Sequence, residues 1–248
     1  MPDRRTSTSS RRASAAPPRA PRTLTIDIGG SGLKAALLDA RGHVIGDPVR
    51  IPTPADRPPD AIVRVLVGLV SPLGVCDRVS VGFPGLVRDG VVQTAPNFDS
   101  PAWQGFALAD ALAQALDRPV RVLNDADLQG LGAISGRGLE LVVTLGTGVG
   151  TALFLDGRLL PHLELSRHPV HRGKNYDQYL GKAARKRVGK RRWRARVHRV
   201  LAILESVINY DTLHIGGGGA KHLGDVAAPR IRLTDNRAAL IGGLAVWR

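Results

Sequence analysis

Two glycine-rich turns, and a carboxylate that lies between them in the chain, are the residues whose types and spacing could do chemistry. The first turn occupies residues 27–34 (Asp-Ile-Gly-Gly-Ser-Gly-Leu-Lys) and the second occupies residues 144–151 (Thr-Leu-Gly-Thr-Gly-Val-Gly-Thr). Both follow β-like runs, and turns of this kind expose backbone N–H groups that can bind phosphate oxygens. Between them, Asn124 and Asp125 follow a third apolar run. Phosphate-binding turns on both sides of a carboxylate predict transfer of a phosphoryl group to a hydroxyl.

Each glycine-rich turn also has an alternative interpretation. The first could be an ordinary hairpin, but Asp27 ends an apolar strand, where a charged side chain is expected to face a cleft or a cation. The second resembles a dinucleotide-binding fingerprint, but that fingerprint requires a helix after the turn, and residues 151–155 are strand-like. A third glycine run, 216–219, follows a strand and precedes a predicted helix, which suits phosphate binding and close packing equally well. The residues predicted to contact phosphate or nucleotide are Asp27, Gly29, Gly30, Ser31, Gly32, Lys34, Thr144, Gly146, Thr147, Gly148, Gly217 and Gly218.

The acceptor side of such a reaction is predicted at Asp125. In isolation this residue would be interpreted as a helix cap, because it follows a strand and begins a helix. Beside two phosphate-binding turns, it is predicted to be the general base that accepts the hydroxyl proton. Asn124 offers a donor and an acceptor to sugar hydroxyls, and Asn97 lies on a loop that suits either a polar ligand or a plain turn. Glu164, one of three glutamates in the chain, lies between two leucines and is predicted to be a ligand contact or a paired structural charge.

The formal net charge is +14 and is unevenly distributed along the chain. Residues 1–22 contain six arginines and one aspartate, and residues 182–199 contain ten lysines and arginines and no acidic residue. Such a charge attracts polyanions, although a run of charges is also typical of a solvated helix face. The single cysteine, Cys76, excludes an intramolecular disulfide and a multi-cysteine zinc site, and it is predicted to be a core residue. No apolar run approaches the roughly 20 residues of a membrane-spanning helix.

The pattern of the chain predicts an α/β fold with two similar lobes around a central cleft. Residues 1–22 are poor in large apolar residues and are predicted to be a disordered tail. Strands are predicted at 24–28, 33–38, 44–51, 78–82, 120–123, 139–145, 151–155 and 212–215, and helices at 60–70, 106–116, 126–134, 176–188, 190–209, after 219, and at 238–246. The lobes are predicted to span residues 23–123 and 124–237, with the last helix, 238–247, packing back onto the first lobe.

The chain resembles the ROK sugar kinases, and within that family the bacterial polyphosphate glucokinases, from about residue 24 to residue 247. The resemblance rests on an ordered set of motifs, none of which is specific alone. These are 27–34, Gly82-Phe-Pro-Gly85, Thr94-Ala-Pro-Asn97, Trp103-Gln-Gly-Phe106, Asn124-Asp125-Ala-Asp127, 144–151, Glu164-Leu165, 216–219 and Gly242-Gly243.

This resemblance implies an actin-like ATPase (ribonuclease H-like) fold with two lobes. It implies that Asp125 is the general base acting on the 6-hydroxyl of glucose, or of a related hexose such as mannose. Asn97, Asn124 and Glu164 would hold the sugar. Asp27 and the glycine-rich turns would hold Mg²⁺ and the phosphoryl donor, which is ATP or inorganic polyphosphate. A cytoplasmic homodimer is expected, with no structural zinc and with neither a membrane nor a specific nucleic acid as partner.

The sugar motif of the family, Glu-x-x-His, is altered in this chain. It reads Glu164-Leu-Ser-Arg167 and is followed by His168, so an arginine stands where the histidine is expected. Arg167 could donate hydrogen bonds to a sugar hydroxyl, although it is bulkier and permanently charged, and His168 could replace the histidine. Both are predicted to contact the sugar. The alternative function is a ROK-type sugar-sensing or regulatory protein in which Arg167 leaves kinase activity weak or absent.

The basic segment bears on the choice of phosphoryl donor. ATP carries few phosphates, whereas an extended series of cations suits a long polyanion. Together with the resemblance, this favours polyphosphate as a donor alongside ATP. A DNA-binding regulator is not expected, because 22 residues before the first strand are too few for a helix-turn-helix. A general nucleic-acid-binding protein is not expected either, because aromatic residues make up 4% of the chain. The predicted polyphosphate track comprises Lys182, Arg185, Lys186, Lys190, Arg191 and Arg192.

Overall fold

The computed structural model describes residues 19–55, 57–96, 98, 100–224, 229–235 and 237–248. Most of the predicted tail (1–18) and the predicted sugar ligand Asn97 lie outside these residues. The end of the tail departs from the predicted disorder, because Arg19 forms an ion pair with Asp77 at 3.1 Å and the backbone N–H of Arg22 donates to the same carboxylate at 2.6 Å. These two bonds attach residues 19–22 to the folded body.

The first half of the chain builds a mixed five-stranded sheet. Its elements are β1 (Thr23–Ile28), β2 (Leu33–Leu38), β3 (Val44–Ile51), α1 (Pro59–Val70), β4 (Arg78–Phe83), β5 (Val87–Arg88), β6 (Val91–Val92), α2 (Leu108–Leu116) and β7 (Val120–Asn124). The strand order is β3-β2-β1-β4-β7; β1, β2 and β3 are antiparallel neighbours, whereas β4 runs parallel to both β1 and β7. Helix α1 buries Ile62 and Leu66, and α2 buries Leu108 and Leu112, in one core with the strands. A four-residue spacing puts each pair on one helix face.

The second half of the chain builds a second five-stranded sheet. Its elements are α3 (Asp125–Leu131), β8 (Leu139–Leu145), β9 (Val149–Leu155), β10 (Arg158–Leu159), β11 (Pro169–His171), β12 (Lys174–Asn175), α4 (Tyr176–Leu180), α5 (Lys182–Ile208), β13 (Thr212–Gly216), β14 (Ile231–Leu233) and α6 (Ala238–Ala245). The strand order is β10-β9-β8-β13-β14. Helix α5 buries Trp193, Val197, Val200 and Leu204 against β8 and β13. Within the described ranges, none of the helices is both long enough and apolar enough to span a bilayer.

The last helix, α6, contacts both halves of the chain. A side chain at Gly242 would overlap the carbonyl oxygen of Leu128 in α3, and one at Gly243 would overlap Thr25 in β1. The hydroxyl of Ser80 in β4 donates to the carbonyl oxygen of Gly243 at 2.5 Å. Glycine at these positions therefore permits a close approach of backbones that joins the two sheets. The lobe boundaries at residues 123/124 and 237/238 stay a prediction.

Besides the short strands β5, β6, β10, β11 and β12, which were not predicted, three elements differ from the sequence-based prediction. The helix predicted over 176–188 is interrupted at Gly181, because the next backbone N–H, that of Lys182, donates to the carbonyl oxygens of Gly146 and Thr147 in the second turn. Instead of a helix after residue 219, the chain makes one 3₁₀ turn, Ala220–His222, and Gly224 then adopts a φ of +78° that ends any helical path. Strand β14 was not predicted from the sequence, because it is short and mostly exposed.

Candidate active site

A cleft of about 280 Å³ brings the two glycine-rich turns together with the start of α3. Asp125 lines it, as does Asn124, which ends β7. Of the residues predicted to contact phosphate, the cleft lining includes Asp27, Gly29, Gly30, Ser31, Gly32, Lys34, Thr144, Gly146, Thr147, Gly148 and Gly217. Gly218 lines two adjacent cavities instead. The fold thus collects residues that are more than a hundred positions apart in the chain.

Charged side chains lie side by side on the three strands next to the first turn. Asp27 of β1 pairs in register with Lys34 of β2, and Lys34 pairs in register with Arg50 of β3. The Lys34 ammonium donates to the Asp27 carboxylate at 2.7 Å, so Asp27 faces a cation, as expected for a charged strand end. Arg50 also lines the cleft and was not identified from the sequence. The turn itself is closed by a hydrogen bond from the N–H of Gly29 to the carbonyl oxygen of Gly32 at 3.0 Å.

The second turn joins β8 to β9 and contacts a carboxylate that was not identified from the sequence. Asp177, in the first turn of α4, accepts a hydrogen bond from the N–H of Val149 at 2.7 Å and packs directly against Gly148. Burial raises the pKa of Asp177 above its ordinary value. Two amides of this turn are therefore already bonded to side chains, because the N–H of Gly150 also donates to the hydroxyl of Thr144 at 3.2 Å. The N–H of Gly146 donates to the carbonyl oxygen of Gly148 at 2.9 Å, which fixes the shape of the turn.

The glycine run 216–219 serves close packing, at least in part. Gly217 has a φ of +79° and lies against the backbone of Leu145, and the N–H of Gly219 donates to the carbonyl oxygen of Leu145 at 2.7 Å. Gly218 differs, because among the described residues no atom lies within 4 Å of the position a Cβ would take. Only Gly218 therefore leaves open space of the kind that a ligand needs.

Asp125 is the first residue of α3, and its side chain is half-buried at the cleft. Helix capping, the alternative function for Asp125, is performed mainly by Asn124, whose Oδ1 accepts from the N–H groups of Ala126 at 2.8 Å and Asp127 at 3.3 Å. Oδ1 of Asp125 also accepts from the N–H of Ala126 at 2.8 Å. Burial, together with the nearby negative charge of Asp27 and further carboxylates, raises the pKa of Asp125 to about 7. A carboxylate with this pKa can accept a proton near neutral pH.

The side chain of Asn124 makes structural hydrogen bonds within the protein. Its side-chain oxygen caps α3, and its Nδ2 donates to the carbonyl oxygen of Gly85 at 3.0 Å, which fixes the loop after β4. Nδ2 carries a second N–H. That N–H is the group with which Asn124, which lines the cleft, could bind a sugar hydroxyl.

A buried histidine, His162, lies between two carboxylates at the cleft. Its Nδ1 lies 3.0 Å from Oδ1 of Asp127, and its Nε2 lies 3.7 Å from Oε2 of Glu164. Burial alone would lower the pKa of His162, but the hydrogen bond with Asp127 and the negative charges of Asp127 and Glu164 outweigh it and raise the pKa to about 9. The interaction with His162 in turn lowers the pKa of Glu164. Glu164 is thus both a paired charge and a cleft residue, and nothing local in the sequence marks His162.

Arg167 and His168 do not take the positions that were predicted for them. Both side chains are exposed, and the cleft lining contains Ser166 and Glu164 instead. Leu165–Arg167 form a 3₁₀ turn that buries Ser166, whose hydroxyl donates to Oε1 of Glu164 at 2.5 Å. The turn leaves the next two side chains in solvent, so the altered histidine position of the sugar motif lies outside the cleft.

The predicted polyphosphate track begins beside the second turn. Lys182 and Arg185 line a cavity of about 300 Å³ together with Gly146 and Thr147, which also line the cleft. Lys221 and His222 add positive or titratable groups to the same cavity. The other four track residues, Lys186, Lys190, Arg191 and Arg192, are exposed along α5. A kink divides the track, because Gly189 has a φ of +78° within α5; Lys182, Arg185 and Lys186 precede it.

Comparisons with known proteins assign the class. A ROK family model matches residues 23–161, more than half of the chain. The chain therefore belongs to the ROK family, with the actin-like ATPase fold and the class of activity, sugar phosphorylation, that were expected. Polyphosphate glucokinase of Mycobacterium leprae is 33% identical over 226 residues, which are 87% of this chain and 68% of that protein.

Solved structures agree with this assignment. The inorganic polyphosphate/ATP-glucomannokinase from Arthrobacter sp. strain KM is 29% identical and matches with a TM-score of 0.81, over 92% of this chain and 100% of that chain. A ROK family glucokinase from Streptomyces griseus, in complex with glucose and AMPPNP, is 21% identical and matches with a TM-score of 0.74, over 91% of this chain and 98% of that chain. The second likeness concerns the fold alone.

Proposed function

We propose that this chain is a kinase that transfers the terminal phosphoryl group of polyphosphate or ATP to the 6-hydroxyl of glucose, with mannose as the alternative acceptor. The observation that carries the proposal is the cleft itself, in which Asp125, with its pKa near 7, lies between two glycine-rich turns. The names of the relatives, a polyphosphate glucokinase and a polyphosphate/ATP-glucomannokinase, support the choice of donor and acceptor.

In the proposed reaction, Asp125 acts as the general base. The oxygen of the 6-hydroxyl attacks the terminal phosphorus, and the Asp125 carboxylate takes the hydroxyl proton as the new P–O bond forms. The bond from that phosphorus to the bridging oxygen breaks, which releases ADP or a polyphosphate chain shortened by one unit. A pKa near 7 suits this role, because the carboxylate is half ionised at neutral pH and still basic enough to hold the proton.

The other cleft residues have roles in holding the two substrates. Glu164 and Asn124 are proposed to bind sugar hydroxyls, together with Asn97, which lies outside the described residues. The backbone N–H groups of both turns are proposed to bind the phosphates, with Lys34 supplying positive charge. We further propose that the protein is a cytoplasmic homodimer, as the resemblance implies.

Mg²⁺ is the metal that the resemblance implies, with Asp27 as its ligand. Within the described residues, no cluster of three or more His, Cys, Asp or Glu side chains could hold a metal by itself. Mg²⁺ in kinase sites takes one or two carboxylates and completes its shell with donor phosphates and water. Asp27 fits that requirement, since it lines the cleft and one of its oxygens remains beside the one bonded to Lys34. When bound, the ion would neutralise charge on the donor phosphates.

The experiment is a matrix of initial rates with two donors, ATP and polyphosphate, and with glucose, mannose and N-acetylmannosamine as acceptors. We expect turnover of glucose with both donors. Asp125→Asn should lower kcat by roughly two to four orders of magnitude, because it removes the proton acceptor, while glucose binding measured by calorimetry stays close to wild type. The matched control is Asp60→Asn, an exposed aspartate of α1, which should leave the rates unchanged.

Two results would contradict the proposal. Turnover of a hexose that survives Asp125→Asn unchanged would exclude Asp125 as the base. Sugar binding without turnover in the wild-type protein, with either donor, would support the sugar-sensing alternative instead.

A further inference from the structure

His162 is held at the cleft by a carboxylate of α3. Its side chain is 7% exposed, and Nδ1 lies 3.0 and 3.1 Å from the two carboxylate oxygens of Asp127. Asp127 is itself buried and lies two residues beyond Asp125 on the same helix. The imidazole therefore has a fixed position relative to the proposed base, although it comes from the segment between β10 and β11.

The other ring nitrogen of His162 points to a second carboxylate. Nε2 is buried and has no hydrogen-bond partner among the described residues. The acceptor beside it is Oε2 of Glu164 at 3.7 Å, and the other oxygen of that carboxylate, Oε1, accepts from the hydroxyl of Ser166. A buried N–H without an acceptor is costly. A small movement of Glu164 to the usual length of about 2.9 Å would satisfy it. Glu164 is thus held on one side by the hydrogen bond from Ser166 and faces the ring of His162 on the other.

The three groups also balance charge next to Asp125. The negative charges of Asp127 and Glu164 raise the pKa of Asp125, as does that of Asp27 in β1. Burial alone would lower the pKa of His162, but its hydrogen bond with Asp127 and the negative charges of Asp127 and Glu164 raise that pKa to about 9. The ring is therefore protonated at neutral pH and places a positive charge between the two carboxylates, of which Asp127 has its pKa raised by burial.

We propose that His162 is a positioning residue of the acceptor site: it is held by Asp127, it orients the Glu164 carboxylate for the hexose, and it offsets the negative charge beside Asp125. This inference rests on the proposed function, because it takes Glu164 to be a hexose ligand. It adds an Asp127–His162–Glu164 chain of contacts to the site, in which only Glu164 touches the sugar.

The test compares His162→Asn, Asp127→Asn and the double variant in the full-length protein. His162→Asn should raise the KM for glucose about tenfold or more, the scale of losing a charged hydrogen bond, with a smaller fall in kcat and an unchanged KM for ATP. Asp127→Asn keeps the ring but removes the carboxylate that holds it, so it should act in the same direction. The double variant should be no worse than the more damaging single variant, because the two residues act as a unit.

The pH profile separates positioning from a general structural defect. Loss of the positive charge leaves Asp127 and Glu164 unbalanced beside Asp125, so the acidic limb of kcat/KM should move to higher pH in His162→Asn. A partly unfolded protein would lose activity at every pH without moving the limb. The matched control is His43→Asn, because His43 also lies 3.1 Å from an aspartate, Asp39, but on an exposed turn away from the cleft. Its KM and its pH profile should equal those of the wild type.

Several outcomes would overturn the inference. These are an unchanged KM for glucose, an equal rise in the KM for ATP, strictly additive effects of the two substitutions, and an unmoved acidic limb. If His162→Asn does not fold, as judged by circular dichroism, Asp127→Asn decides the question through the KM values for glucose and ATP alone, because loss of the Asp127 charge would move the acidic limb to lower pH. Failure of the wild-type protein to phosphorylate any hexose would overturn the proposed function, whereas wild-type turnover with an unaffected His162→Asn would overturn only the role of His162.

Discussion

Asp125 is half-buried at the cleft, near three other carboxylates, those of Asp27, Asp127 and Glu164. Burial and like charge both disfavour the ionised form, which is why its pKa rises to about 7. The raised pKa makes this carboxylate a base near neutral pH. It also means that the ionised form of Asp125 destabilises the folded state. Activity and stability therefore place opposite demands on the same side chain.

This opposition predicts that Asp125→Asn stabilises the protein in a pH-dependent way. In the unfolded chain an aspartate titrates near 3.9, and in the folded protein Asp125 titrates near 7. Between these values the folded state holds a proton that the unfolded state has lost, so the stability of the wild type falls as the pH rises from about 4 to 7. Asparagine does not titrate. Thermal unfolding should show Asp125→Asn several degrees above the wild type at pH 8, with a clearly smaller difference at pH 5.

The control for that measurement is Asp60→Asn, whose side chain is exposed on α1. It should shift Tm by the same small amount at both pH values. A Tm for Asp125→Asn that is below the wild type at pH 8, or a difference that does not change between pH 5 and pH 8, would show that the charge of Asp125 is not destabilising.

At the scale of elements, the sequence predicts both turn-forming hairpins, because apolar strands flank turns rich in glycine. The positions of Asp27 and Asp125 at the cleft follow from those hairpins and from the strand that ends at Asn124. The cleft residues that were missed come from elements with no local signal. Arg50 lines the cleft because β3 pairs with β2 in a register that puts Arg50 beside Lys34. His162 and Asp177 line the cleft because the chain after β10 contributes residues to it. The positions of these three residues depend on tertiary contacts, so they cannot be predicted from the local sequence around each residue.

The basic track also belongs to this scale, and it predicts a donor-specific effect. Lys186 and Arg191 are exposed on α5, beyond the cavity that Lys182 and Arg185 line. Lys186→Gln/Arg191→Gln should therefore raise the KM for long-chain polyphosphate several-fold and leave the KM for ATP nearly unchanged. By analogy with single-stranded nucleic acids, the slope of log(kcat/KM) for polyphosphate against log salt should flatten by roughly 0.7 per lost contact.

A control with the same loss of charge keeps this prediction specific. Arg64→Gln/Arg88→Gln removes two exposed cations from α1 and β5. It should leave both KM values and the salt slope unchanged, since neither residue lies on the track. Equal effects of the two double variants would assign the salt dependence to the net charge of +14 rather than to the track.

At the scale of the whole molecule, one crossing of helices joins the two sheets. Helix α3 follows β7 of the first sheet and carries Asp125 at its start, and α6 packs on α3 and on β1. The backbones approach so closely that a side chain at Gly242 would overlap the carbonyl oxygen of Leu128, and one at Gly132 would overlap that of Ala238. The position of Asp125 relative to the first turn therefore depends on the close contact between Gly132, at the end of α3, and Gly242 in α6.

Gly242→Ala should disturb both stability and catalysis, because backbone atoms of α3 would have to move to accept the new methyl group. We expect a loss of roughly 1–3 kcal/mol in the free energy of unfolding, together with a fall in kcat/KM for glucose. The control is Gly68→Ala in α1, where no described atom lies within 4 Å of the added Cβ. That variant should be more stable by roughly 0.5–1 kcal/mol, since alanine loses less entropy than glycine in a helix, and equally active. Denaturant unfolding and glucose kinetics measure both variants. If Gly242→Ala matched Gly68→Ala in both measurements, the α3–α6 contact would not control the distance between the proposed base and the phosphate-binding turns.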